Sequence, residues 1–85
     1  MLKFYGNITC PDCKEAIEEL EKENIDYEYI DILEDIGKLK EFIYIRDNRK
    51  EFDEIKNESL VGVPLFIYND DKISFDYREI IKIFK

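Results

Sequence analysis

The stretch "NITCPDCKEA" holds Cys10 and Cys13, the only two cysteines in the 85-residue chain. A Cys-x-x-Cys pair can clip a metal, sit inert in a core, or exchange electrons with a disulfide. A structural zinc ion usually takes four Cys or His ligands. This chain has two Cys and no His, so one copy cannot complete such a site, although two copies together can. Inert cysteines leave the proline between them unexplained. Redox exchange uses it. With Cys10 at a helix N-cap, Pro11 becomes the first helical residue, where its missing N–H costs nothing. Cys13 then lies one turn in, on the seam of Ala16 and Ile17. One sulfur is exposed and the other sheltered. The positive end of the helix favours a thiolate at Cys10. That thiolate attacks a disulfide, and Cys13 displaces the mixed disulfide so formed. Asp12 suits the helix terminus but repels the thiolate, by ~0.6 kcal/mol at ~7 Å in water. It moderates the activation and disfavours acidic partners.

The elements that position this pair follow from periodicity. Leu2–Tyr5 is apolar and aromatic, ends at Gly6, and reads as a strand. From Pro11, the residues Cys13, Ala16, Ile17 and Leu20 recur at helical spacing, with Asn24 as the stop. Ile25–Ile32 alternates and reads as a second strand. Glu34–Ile45 returns to helical spacing with a seam of Ile36, Leu39 and Ile43. "RDN" at 46–48 is expected to interrupt that helix, with Asp47 or Asn48 capping a short one that carries Phe52 and Ile55. Leu60–Tyr68 reads as a central strand, Asn69–Lys72 as a turn, and Ile73–Phe75 as an edge strand. Asp76 caps a last helix with Ile80, Ile81 and Phe84 inward. The order β-α-β-α-β-β-α predicts an α/β fold: a four-stranded mixed sheet flanked by helices, in one domain over 1–85.

Bulk properties narrow the function. Apolar residues make up 45% and charged residues 40%, and the net charge is −8. That balance is globular, and it disfavours nucleic acid and anionic membrane surfaces. No run is long and apolar enough to span a bilayer. "MLKFYGN" enters a strand at once, with no basic segment and apolar core of a signal. A cytoplasmic location is expected, where a lone cysteine pair is not a permanent staple.

With "CPDC" after a first strand, "VGVP" entering the third, and this element order, the chain resembles a glutaredoxin of the thioredoxin superfamily. The family typically has C-P-Y-C and T-V-P at these places. The resemblance implies a thioredoxin-like fold and a thiol–disulfide oxidoreductase. It implies that Cys10 attacks and Cys13 resolves, and that a cis peptide bond joins Val63 to Pro64 beside the sulfurs. Val63 and Pro64 then offer an open strand edge to a substrate peptide. Thr9, Pro11 and Asp12 surround the nucleophile and complete the expected substrate contacts. Thr9 either hydrogen-bonds near the sulfur or shapes the turn. Tyr5 either edges the cleft or packs in the core. Arg46 and Arg49 either hold an acidic group or pair with neighbouring carboxylates.

The chain also departs from the family pattern. Asn7 stands where a Lys or Arg meets a glutathione carboxylate. Asp12 stands where the family has an aromatic residue. Ser74 and Phe75 stand at the Gly-Gly pair, and only Asp76 matches the acid beyond it. The expected partners are a disulfide-bearing protein or a small thiol. The reductant is expected to be a thiol, and these departures argue against glutathione and for another low-molecular-weight thiol or a flavoprotein reductase. No tightly bound cofactor or metal is expected, and the chain is expected to be a monomer. Two readings compete: an iron–sulfur cluster shared between two chains, and a redox-dead adaptor that keeps the fold.

Overall fold

A computed structural model describes residues 2–85. Strand β1 (Lys3–Gly6) lies inside a four-stranded sheet of order β2-β1-β3-β4. It is followed by α1 (Pro11–Lys22), β2 (Glu28–Asp31) and α2 (Ile36–Asn48). A 3-10 turn (Lys50–Phe52) runs into the short α3 (Asp53–Asn57). Strands β3 (Leu65–Tyr68) and β4 (Lys72–Ser74) and helix α4 (Tyr77–Phe84) complete the chain. β1 and β2 are parallel, with Phe4 opposite Tyr29 and Gly6 opposite Asp31. β1 and β3 are antiparallel, with Phe4 opposite Phe66, and β3 and β4 are antiparallel. The mixed sheet is therefore the expected one.

Successive strand residues point to opposite faces, and here both faces are covered. Phe4 points to one side, where Cys13, Ala16 and Leu20 of α1 and Ile80 of α4 close over it. Tyr5 points to the other, against Ile30, Ile32, Phe42 and Phe52. The Phe4 ring meets the Tyr29 ring edge-on at 5.1 Å between centroids. Because α1 packs on the Phe4 face, the start of α1 comes to rest at the end of β1.

Several boundaries differ from the sequence reading. The second strand is four residues long, and its even-numbered side turns apolar at Ile30 and Ile32, both buried in the second core. Helix α2 does not break at 46–48. Asp35 caps its start by accepting from the Lys38 N–H at 2.9 Å. Its inward seam is Leu39, Phe42 and Ile45, whereas Ile36 and Ile43 are 66% and 42% exposed. Asn48 donates from Nδ2 to the Tyr44 carbonyl inside the helix and caps nothing downstream. Phe52 and Ile55 do pack inward, as the spacing implied.

The third strand starts only at Leu65, since the chain before it cannot hold a regular ladder. Ser59 and Gly62 take positive φ values of 58° and 102°. The Val63–Pro64 bond that follows is cis. At Gly62 an added Cβ would also lie 2.8 Å from the Phe52 ring. Asn69 and Asp70 hold φ of 47° and 71° in the β3–β4 turn, conformations Asn and Asp tolerate best among residues with side chains. In α4, Ile80 is buried, but Phe84 is 41% exposed and only leans on the Tyr68 ring. Among the described residues, no helix is long and apolar enough to cross a membrane.

Candidate active site

The end of β1 and the start of α1 build the dithiol. Cys10 is the N-cap of α1, extended at φ −87° and ψ 120°, and Pro11 is the first helical residue. The Cys10 carbonyl accepts the first helical bond, from the Lys14 N–H at 3.1 Å. Cys10 is half-buried and Cys13 fully buried, and both are free thiols. Cys13 sits over Gly6, where a Cβ would come within 2.9 Å of its Sγ. Gly6 is thus the space the second sulfur occupies. Burial pushes the Cys13 thiol up to about 12; the Asn7 backbone opposes this, and Cys10 adds to it through hydrogen bonding and charge. The inner sulfur is held as a neutral thiol.

Asn7 organises the turn between strand and helix. Its carbonyl accepts from the Cys10 N–H at 3.0 Å. Its Oδ1 accepts from the Thr9 N–H at 2.9 Å and from the Thr9 hydroxyl. Its Nδ2 donates to Asp31 Oδ1 at 2.8 Å, and the same oxygen accepts from the Leu33 N–H at 2.9 Å. The bond from Asn7, followed by that from Leu33, holds the Asp31 carboxyl below its ordinary range. Asn7 ties the nucleophile's turn to β2 across the sheet. The Tyr29 hydroxyl, packed against the Phe4 side of the sheet, is buried and has no hydrogen-bond partner among the described residues. Burial, with Asp31 and Cys13 adding, pushes its phenol up to about 12.

Cys10 opens onto a groove of about 590 Å³. Of the residues singled out in the sequence around the expected site, Cys10, Asp12, Val63, Pro64, Phe75 and Asp76 line it. Thr9 and Pro11 do not: Thr9 turns back to Asn7 and shapes the turn, and Pro11 starts the helix. The backbone N–H and C=O groups of Gly62 and Val63 make no hydrogen bond among the described residues, so this edge faces the groove unpaired. Asp76 caps α4 by accepting from the Arg78 N–H at 2.9 Å. Tyr5 is core on the far side of the sheet, its hydroxyl donating to Glu41 at 2.6 Å. Arg49 pairs with Glu51 and Asp71, at 2.9 and 2.8 Å.

Among the described residues, Arg46 pairs with no acidic group. Its Nε donates to the Val61 carbonyl at 2.9 Å and its Nη2 to the Leu60 carbonyl at 2.6 Å. It pins the loop that carries Val63 and Pro64. Nothing local marks Arg46, because its partners lie 14 and 15 residues away. Asn7 and Gly6 do leave signals: Asn followed two residues later by Thr is an Asx-turn pattern, and a glycine ending a strand often marks a close approach. Among the described residues, no group of three or more His, Cys, Asp or Glu is placed to hold a metal ion.

A parallel β-α-β unit, an antiparallel hairpin beyond it, and a Cys-x-x-Cys helix start facing a cis-proline define a protein of thioredoxin-like fold. A crystal structure of a thioredoxin-like protein, solved as a single-site mutant, superposes with a TM-score of 0.68 at 17% identity, covering 100% of both chains. The glutaredoxin family model matches residues 3–73, and the chain belongs to that family. An uncharacterized protein of Haemophilus influenzae is 32% identical over 81 residues, covering 95% of this chain and 93% of that one.

Proposed function

We propose that the protein is a thiol–disulfide oxidoreductase working through Cys10 and Cys13. One observation carries the reading: the helix start presents one half-exposed sulfur at the mouth of a groove and keeps the second buried one turn behind it. Cys10, as thiolate, attacks one sulfur of a substrate disulfide. A Cys10–substrate disulfide forms, and the other substrate sulfur leaves and takes up a proton. Cys13 then gives up its proton and attacks Cys10 Sγ. The Cys10–Cys13 bond closes and the second substrate thiol leaves, so two electrons pass to the substrate. The unpaired edge at Val63 aligns an extended substrate backbone beside Cys10. Two thiols from glutathione or another small thiol, or a flavoprotein reductase, return the electrons.

The test uses hydroxyethyl disulfide, a small uncharged substrate, with protein reduced beforehand by dithiothreitol and desalted. Stoichiometric reduction by the wild type, and none by Cys10→Ser, is expected. Full activity in Cys10→Ser would contradict the assignment.

A further inference from the structure

The groove beside Cys10 has two unlike walls. One is apolar, formed by Ile55, Leu60, Val61, Val63 and Phe75, and at its rim Leu60 and Val61 stand 53% and 55% exposed. The other is ionic, with the carboxylates of Asp12, Glu15 and Asp76 and the guanidinium of Arg78. Among the described residues, Arg78 is the only cation in the lining, and it is already engaged, 3.4 Å from Asp76 and 3.9 Å from Glu15. Asp12, between the two cysteines in sequence, makes no hydrogen bond or ion pair among the described residues. The groove thus carries an excess of negative charge next to its nucleophile, and the whole molecule carries −8. Fields of one sign in a cleft raise the encounter rate of ligands of the other sign and reject like charge.

We propose that this groove selects cationic polypeptide disulfides: an extended segment whose cysteine is flanked by Lys or Arg and by an apolar side chain. The segment's backbone pairs with the free edge at Val63. Its apolar side chain covers Leu60 and Val61, and its basic side chain reaches Asp12 and Glu15. Glutathione, with two carboxylates against one ammonium, meets the wrong wall. The proposal rests on the dithiol reading above and adds the substrate class to it.

The experiment measures second-order rates of reduction for two peptides of equal length. Each carries one cysteine as a mixed disulfide with 2-mercaptoethanol, flanked by Lys in one peptide and by Glu in the other. Each rate is divided by that of the same peptide with free dithiothreitol, which removes intrinsic reactivity. Glutathione disulfide and hydroxyethyl disulfide are run beside them. The expected result is a preference for the Lys peptide of roughly tenfold at low ionic strength. That preference should shrink in 0.5 M salt and in the Asp12→Asn/Glu15→Gln double variant, with glutathione disulfide slower than the Lys peptide. Equal rates for both peptides, a faster Glu peptide, or a preference untouched by salt and by the double variant would overturn the proposal. If hydroxyethyl disulfide is still reduced in that case, the dithiol reading stands without it. Failure of all four substrates would remove the dithiol reading and this proposal together.

Discussion

Cys13 differs from Cys10 in one physical respect that organises the site: its sulfur is fully buried over Gly6. Burial favours the neutral thiol, so its folded value is about 12 against an ordinary 9.0. Below pH 9 the folded and unfolded chains both hold this proton. Above pH 9 the unfolded chain releases it while the folded chain retains it, so the unfolded state binds fewer protons and stability falls as pH rises. The reduced protein is expected to lose Cys13-dependent stability between pH 9 and 12, by up to about 1.4 kcal/mol per pH unit. Denaturant titrations of wild type and Cys13→Ala across that range check it, since the variant lacks this component of the slope. Tyr29 supplies a second test. A buried hydroxyl without a partner costs free energy, so Tyr29→Phe is expected to raise stability by up to ~1 kcal/mol; a loss in urea unfolding would show that the hydroxyl is satisfied in solution. At this scale the placement of the cysteines was legible from their spacing together with the strand before and the helix after them, because Pro11 fixes where the helix starts. The role of Asn7 was not: its importance comes from Asp31, which only the parallel pairing of β1 with β2 brings within 2.8 Å.

The elements were legible where one face decides the pattern. α1 has a single buried stripe and one unambiguous start, and the sequence showed both. α2 misled, since it has more apolar residues than it can bury. Ile36 and Ile43 compete with Phe42 in the periodicity, and packing against Tyr5 and Phe52 selects Phe42. Phe42→Ala is therefore expected to cost ~3–5 kcal/mol, and Ile43→Ser under ~1 kcal/mol, in the same unfolding assay. The join between β1 and α1 makes its own prediction. Gly6→Ala places a methyl group 2.9 Å from Cys13 Sγ and 3.0 Å from the Phe4 ring, and such overpacking costs ~1–3 kcal/mol. The loop before β3 depends on Arg46. Arg46→Met keeps the aliphatic stem but frees the Leu60 and Val61 carbonyls. Reduction of a peptide disulfide that needs the Val63 edge is expected to slow severalfold. Hydroxyethyl disulfide, which needs only Cys10, should react at the wild-type rate.

At the scale of the whole molecule, one sheet covered on both faces sets the site's geometry. The Phe4 face seats α1 and buries Cys13, and the Tyr5 face anchors Phe52, against which Gly62 and the loop before Pro64 rest. The two cores meet at the end of β1 and the start of β3, where Cys10, Val63 and Pro64 share the groove. Element order and composition showed that architecture in the sequence, because hydrophobic alternation and helical spacing are local. The groove's charge balance was only partly visible: Asp12 stood out beside the cysteines, but Glu15, Asp76 and Arg78 join it only when α4 packs beside α1. In the proposed reaction Cys10 attacks and Cys13 resolves. The most direct test of these roles is to incubate reduced Cys13→Ser with a peptide disulfide and map the adduct by mass spectrometry, with Cys10→Ser treated identically. A stable peptide disulfide on Cys10 is expected in the first variant and none in the second; an adduct on Cys13 in the Cys10→Ser variant, formed as fast, would overturn the assignment of roles.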